Sequence, residues 1–332
     1  AATWLDANRV AYITRTWLHS EIRLLDVRTD SDELAVEMEG AIGELVASNG
    51  GVLVRRDELH SRAYLAPATS ATPTSIEGLP QLDTGSAVDF QPFTWALDGG
   101  VVTMAMVAGQ RGLVRTVPGQ RGAPLVLHRT RNILSFSSTQ GQILYSLNDG
   151  DDCETRVFDL ATRKDNVWLT SRCAQRPYMT CGQSSRCVVI DKAGTRWFNP
   201  STMQYEGPAP HFDLDEKLSP DATASVRLRG AAVVIRNLAS GTETMIEAPA
   251  NDGPLDIGWG NDSNMLVAMS YTPGHQRMMI RGRDGQWRTI IEDPHRNLNG
   301  YAVSPDGSQV AIVALLSAST WSYLPFASSS KR

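Results

Sequence analysis

Tyr301-Ala-Val-Ser-Pro-Asp-Gly-Ser-Gln-Val-Ala-Ile-Val313 decides how the chain is read. It is a short apolar strand, a Ser-Pro-Asp-Gly turn and a second strand of β-branched and small residues. Each turn residue has a mechanism: Pro presets φ, Asp caps its own backbone, and Gly takes the left-handed position. The same frame recurs at Trp4–Ile13, Glu44–Val54, Phe93–Val102, Leu134–Tyr145, Tyr178–Ile190, Leu218–Val226 and Ile257–Met269. Starts therefore fall near residues 2, 44, 93, 134, 178, 216, 257 and 301, about forty residues apart. That spacing is the size of a four-stranded propeller blade.

Each frame is followed by a second hairpin. Met278-Met-Ile-Arg-Gly-Arg-Asp-Gly-Gln-Trp-Arg-Thr-Ile-Ile291, with its Asp-Gly turn, shows this most clearly. Two hairpins per repeat and almost no helical periodicity argue an all-β array. A lone four-stranded sheet cannot bury both faces, whereas sheets set radially around a channel bury them against each other. The expectation is one β-propeller domain over 1–332, with eight four-stranded blades favoured and the last one short. The alternative is seven blades, with N-terminal and C-terminal strands sharing one. Trp95, Trp168, Trp197, Trp259 and Trp287 are read as packing between blades.

Composition limits the function classes. Net charge is −5, so this domain is expected to have no generalised nucleic-acid surface. No apolar run approaches the roughly 18–20 residues of a membrane span. The chain opens Ala1-Ala-Thr-Trp4, without Met or a signal peptide. It is read as a mature or excised fragment, with membrane attachment expected only through a segment outside it. Cys153, Cys173, Cys181 and Cys187 cluster in one window. An even, clustered count points to two disulfides in an oxidising compartment, periplasmic or extracellular, with three pairings open. The hairpin sets Cys181 opposite Cys187, which leaves Cys153 for Cys173.

The turns Tyr301-Ala-Val-Ser-Pro-Asp-Gly-Ser and Leu218-Ser-Pro-Asp-Ala resemble TolB-type propeller repeats, similar to those of prolyl-oligopeptidase-like propellers. The resemblance implies a propeller. In the TolB-like group it also implies periplasmic protein binding, and related modules serve as extracytoplasmic sensor domains. Fold alone does not carry function.

No His-Glu-x-x-His, Gly-x-Ser-x-Gly or P-loop pattern occurs. Asn148-Asp-Gly-Asp-Asp152 has the carboxylates of a calcium loop without its terminal Glu, and is read as a solvated turn. No cofactor or metal is expected. Counting strands a to d outwards, the a–b and c–d turns share one face and are tight. The b–c and d–a connections share the other and hold all six histidines. The expected ligand or partner face comprises His19, Arg56, His60, Arg111, Arg131, His211, His275 and His295. Arginine forks there would select carboxylate or phosphate groups. Two functions follow. One is a non-enzymatic extracytoplasmic binding or sensor propeller for a protein partner or small anionic ligand, for instance the ectodomain of a membrane-anchored regulator. The other is a hydrolase or lyase using loop histidine and arginine on an anionic substrate.

Overall fold

The structure, a computed structural model, describes residues 2–325 except 16–18, 40, 49, 71, 83–86, 89–93, 97, 108–109, 121–124, 130–132, 140, 150, 185, 250–254 and 273–274. The chain forms two compact units: Ala1–His60 with Leu316–Arg332, and Ser61–Leu315. The boundary falls inside two strands of 17 residues, Gly51–Pro67 and Gln309–Pro325.

In the smaller unit, an antiparallel sheet runs through Ala2–Trp4, Arg9–Arg15, His19–Asp26 and Ser31–Glu39 in sequence order. Its apolar face meets that of the hairpin Ala41–Ser48/Gly51–Pro67. Ala11 and Ile22 from the sheet and Ile42, Val52 and Val54 from the hairpin are fully or almost fully buried there. Leu324 packs on the same cluster.

The described residues of the larger unit form five complete blades. Blade 1 comprises Thr94–Trp95, Val101–Val107, Gln110–Thr116 and Leu125–Arg129, with Ala87–Val88 also on Val101–Val107. Blade 2 comprises Ile133–Ser138, Gln142–Asp149, Asp152–Asp159 and Asp165–Arg172. Blade 3 comprises Tyr178–Cys181, Cys187–Asp191, Gly194–Asn199 and Gln204–Pro208. Blade 4 comprises Lys217–Leu218, Ala224–Arg229, Ala232–Asn237 and Glu243–Glu247. Blade 5 comprises Leu255–Trp259, Leu266–Thr272, His275–Arg281 and Trp287–Asp293.

Blade 6 is assembled from both ends of the unit. Asn297–Val303 pairs with the start of Gln309–Pro325, and Gly51–Pro67 lies on the far side of that strand. Residues 80–82 supply the outer edge: Leu65 N–H donates to Pro80 O at 2.9 Å, and Leu82 N–H to Ala63 O at 2.9 Å. Main-chain pairing between early and late segments thus closes the ring of the larger unit.

Every interface between successive blades carries its own apolar cluster. Met104 and Leu113 face Ile143 and Phe158 between blades 1 and 2. Leu144 and Val157 face Val189 and Phe198 between blades 2 and 3. Val188 and Trp197 meet Phe212 and Leu218 next, and Val226 and Val233 meet Leu266 and Met279 after that. Met278 and Ile280 face Val310 and Ile312 between blades 5 and 6. Ala311 and Val313 close on Trp95 and Val101 of blade 1. A fully buried ring such as Phe158 contributes about 1.5–3 kcal/mol. The five tryptophans expected between blades all lie in or against these clusters.

All eight expected opening hairpins are present. Their grouping differs from an even run. The third to eighth open the six blades of the larger unit, and the first two belong to the smaller one. The second and eighth contribute to one sheet, so the described residues form seven sheets. The physical reason is the two long strands, each of which supplies residues to both units.

The turn that decided the reading behaves as its residues require. Asp306 accepts from Ser304 Oγ at 2.5 Å and from Ser308 N–H at 3.0 Å, and Gly307 sits at φ 72°. Ser219-Pro-Asp-Ala222 repeats the device: Asp221 accepts from Ser219 Oγ at 2.7 Å and Thr223 N–H at 3.1 Å. There Ala222 occupies the left-handed position, at φ 59°.

Candidate functional site

The inner strands of the six blades line one cavity of about 430 Å³. Its wall takes Trp95 from blade 1, Phe136 from blade 2, Tyr178 from blade 3, Lys217 from blade 4, Asp256 from blade 5 and Tyr301 from blade 6. Neighbouring inner strands are cross-linked by polar contacts. Trp95 Nε1–H donates to Ala302 O at 3.0 Å, and Trp259 Nε1–H to Lys217 O at 2.9 Å. Cys181 N–H donates to Ser137 Oγ at 3.0 Å, and Leu218 N–H to Thr180 Oγ1 at 3.3 Å. Every partner here is on the preceding blade. These bonds satisfy groups that sheet ladders leave unpaired, and they fix the channel walls.

Glycine sets how closely the walls approach. A Cβ on Gly182 would stand 2.4 Å from Ser219 O, a backbone atom. A Cβ on Gly258 would stand 2.2 Å from the Tyr301 hydroxyl.

One end of the cavity is polar. Lys217 Nζ lies 2.5 Å from Asp256 Oδ1. Burial pushes the Tyr178 phenol up from its ordinary value, and the charges of Asp215 and Asp256 add to that. These residues stand at the starts of their strands, on the side of the b–c and d–a connections. The other end is lined by Gly182, Gln183, Pro220, Gly260 and Pro305, on the side of the a–b turns. An ammonium, a carboxylate and a phenol at one opening can bind a polar group by charge-assisted hydrogen bonds. The aromatic walls offer stacking surface behind them.

The sequence-derived face is placed as follows. His211 is exposed in the connection before blade 4, its Nε2 3.0 Å from Asp213 Oδ1. That hydrogen bond holds the Asp213 carboxyl below its ordinary value. His275 opens the third strand of blade 5 and pairs with Glu292. His295 is exposed before blade 6, its N–H donating to Asp293 Oδ1 at 2.9 Å. None of these three lines the cavity. Arg111 is in Gln110–Thr116 of blade 1, but its side chain, like those of His19, Arg56 and His60, lies outside the described residues. His19, Arg56 and His60 belong to the smaller unit. Arg131 lies outside the described residues altogether. His128, expected in a loop, is in the outer strand of blade 1 and reaches Asp165 of blade 2 at 3.4 Å.

Sequence reading overlooked Tyr178, Lys217, Asp256 and Tyr301. The available signal was positional: each falls at or within the first strand of its repeat, the strand that faces the channel.

Both disulfides are formed, Cys153–Cys173 and Cys181–Cys187, with Cα separations of 4.7 and 4.0 Å. Among the described residues no group of three or more His, Cys, Asp or Glu could hold a metal ion.

Fold and channel together define a β-propeller with a polar-mouthed central cavity. No family model matches the chain, and no curated protein sequence does. Among solved structures, TolB from Acinetobacter baumannii is similar at 11% identity and a TM-score of 0.48, over 85% of this chain and 81% of that one. An oligogalacturonate lyase in complex with manganese is similar at 12% identity and a TM-score of 0.44, over 83% and 98%. A prolyl endopeptidase is similar at 11% identity and a TM-score of 0.41, over 95% of this chain and 54% of that one.

Proposed function

We propose that the protein is a non-enzymatic, extracytoplasmic binding or sensor protein that takes a small polar ligand with an anionic group into the channel of its larger unit. The observation that carries this is the six-walled cavity, with Lys217, Asp256 and Tyr178 at its open polar end. Lys217 supplies the cation for the anionic group, Tyr178 a hydroxyl, and Asp256 holds Lys217 in place until a ligand competes for it. The ligand enters from the side of the b–c and d–a connections, past the segments bearing His211 and His295. Two disulfides support an oxidising compartment. A role as the ectodomain of a membrane-anchored regulator belongs to the same reading.

The test is a thermal-shift panel of small carboxylates and phosphate esters against three proteins. They are the parent, Ser138→Trp, which fills the cavity wall, and the double variant Arg111→Glu/Arg131→Glu. Stabilisation lost in Ser138→Trp and kept in the double variant supports the channel. Loss only in the double variant moves the site to the loop face, and no stabilisation by any compound overturns the reading.

A further inference from the structure

Among the described residues, the a–b turn of blade 3 reaches past the adjoining blade 4 as far as blade 5. Ser184 N–H donates to Pro220 O of blade 4 at 2.7 Å, and Gln183 Nε2 reaches Gly260 O of blade 5 at 3.5 Å. Gly182 lies so close to blade 4 that no side chain would fit, with Ser219 O 2.4 Å and Pro220 O 2.9 Å from a Cβ position. Gly182 and Gln183 also line the turn-side end of the cavity. The turn therefore spans from blade 3 to blade 5 across that opening.

The base of this turn is the Cys181–Cys187 disulfide, which joins directly paired residues of the first and second strands. Cys181 itself lines the cavity. On the far side Arg186 is fixed to blade 3: its Nε donates to Glu206 at 2.8 Å, and its guanidinium lies 4.4 Å over the Trp197 ring. The disulfide joins cysteines only six positions apart, which the β-ladder already pairs. It restricts the turn far more than it restricts the fold. The other disulfide, Cys153–Cys173, ties the third strand of blade 2 to the residue just after its outer strand and lines no part of the cavity.

We propose that residues 182–184 form a stopper across the turn-side mouth of the channel, and that the Cys181–Cys187 disulfide is a reducible latch holding it in place. A dithiol is the partner chemistry. One thiolate attacks a sulfur of the pair, breaking the S–S bond and forming a mixed disulfide, and the other cysteine leaves as thiolate. The second thiol of the reductant then displaces the bound cysteine. The net change adds two electrons and two protons to the pair, and the dithiol leaves as its own disulfide. The released turn keeps its root at Arg186 but loses the restraint that holds Ser184 against Pro220. The consequence for a ligand rests on the channel reading above; the latch itself does not.

The experiment follows amide exchange of Ser184, whose N–H is bonded only while the stopper is seated. Cys153→Ser/Cys173→Ser retains the latch as its sole disulfide and is compared before and after reduction with dithiothreitol. Cys181→Ser/Cys187→Ser serves as the permanently open form. In both open states Ser184 exchange accelerates roughly tenfold or more, while second-strand amides such as Val188 keep their protection. Thiol titration of the first variant gives two thiols per chain on reduction, and none after reoxidation. Unchanged Ser184 exchange in either open state overturns the proposal, as does loss of Val188 protection in step with it. No ligand is needed, so failure here leaves the channel reading untouched, and failure to find a ligand leaves the latch standing.

Discussion

The indole of Trp95 donates its N–H to the carbonyl oxygen of Ala302 at 3.0 Å, across 207 positions of sequence. One residue opens blade 1 and the other lies in the inner strand of blade 6, so this bond fastens the two ends of the larger unit. Trp259 makes the same bond to Lys217 between blades 5 and 4 at 2.9 Å. Trp95→Phe removes the donor and leaves a half-buried carbonyl without it. The expected loss is about 1–3 kcal/mol, with a further loss for the smaller ring. Trp4→Phe, whose side chain is 59% exposed, changes stability by no more than about 0.5 kcal/mol. Urea unfolding curves of the two variants check the contrast.

The paired Ser-Pro-Asp turns offer an exchange experiment. Ala222 holds φ 59° where Gly307 holds φ 72° in the equivalent place. Ala222→Gly relieves a left-handed alanine and stabilises by up to about 1 kcal/mol. Gly307→Ala introduces the same strain, and its Cβ would also stand 2.9 Å from Asn261 Nδ2. It destabilises by about 1–2 kcal/mol. Melting temperatures moving in opposite directions confirm the turn geometry, and a shift in the same direction refutes it.

Those turns also set a pH dependence. The Ser304 hydroxyl and the Ser308 amide hold the Asp306 carboxyl at about 2, below its ordinary 3.8. At Asp221 burial opposes ionisation, but hydrogen bonds from Ser263, Ser219 and Thr223 outweigh it, again giving about 2. A carboxyl depressed in the folded state binds its proton more readily when unfolded. Its stabilising contribution is therefore full above about 3.8 and is lost as pH falls towards 2. Asp221→Asn/Asp306→Asn should lose less stability than the parent over that interval. Urea midpoints recorded against pH read the difference, and parallel curves would contradict it.

Glu216 is 1% exposed and is paired with Arg236 of the same blade, with Arg227 Nε 3.7 Å from its other oxygen. Arg236→Met leaves the buried carboxylate without its closest cation and costs about 3–5 kcal/mol. Adding Glu216→Leu removes the unpaired charge and recovers much of that loss. A double-mutant cycle by urea denaturation checks the coupling. Additive losses would show that the pair does not act as a unit.

The sequence by itself determined the local units. Pro-Asp-Gly and its relatives fix the chain reversals at Ser304–Ser308 through bonds within five residues, so a stretch of thirteen residues discloses them. The opening hairpin of every repeat and the Cys181–Cys187 pairing, set by its register, follow from the same local logic. The packing role of five tryptophans was legible too, because a large ring in a meander strand has few other places to go.

Tertiary structure alone decided how the repeats are grouped and where the chemistry converges. Blade 6 joins residues 61–67 and 80–82 to Asn297–Val303 and the start of Gln309–Pro325, a pairing between segments more than two hundred positions apart. No period in the sequence distinguishes a repeat that extends the ring from one that lies in the smaller unit, since both use the same hairpin. His128 reads as a loop residue and is a strand residue partnered with Asp165, because side-chain type does not reveal which neighbouring sheet covers it. Lys217 and Asp256 stand 39 positions apart and meet at 2.5 Å, since successive inner strands converge on one axis. Convergence of that kind is a property of the closed ring, and it is written in no single repeat.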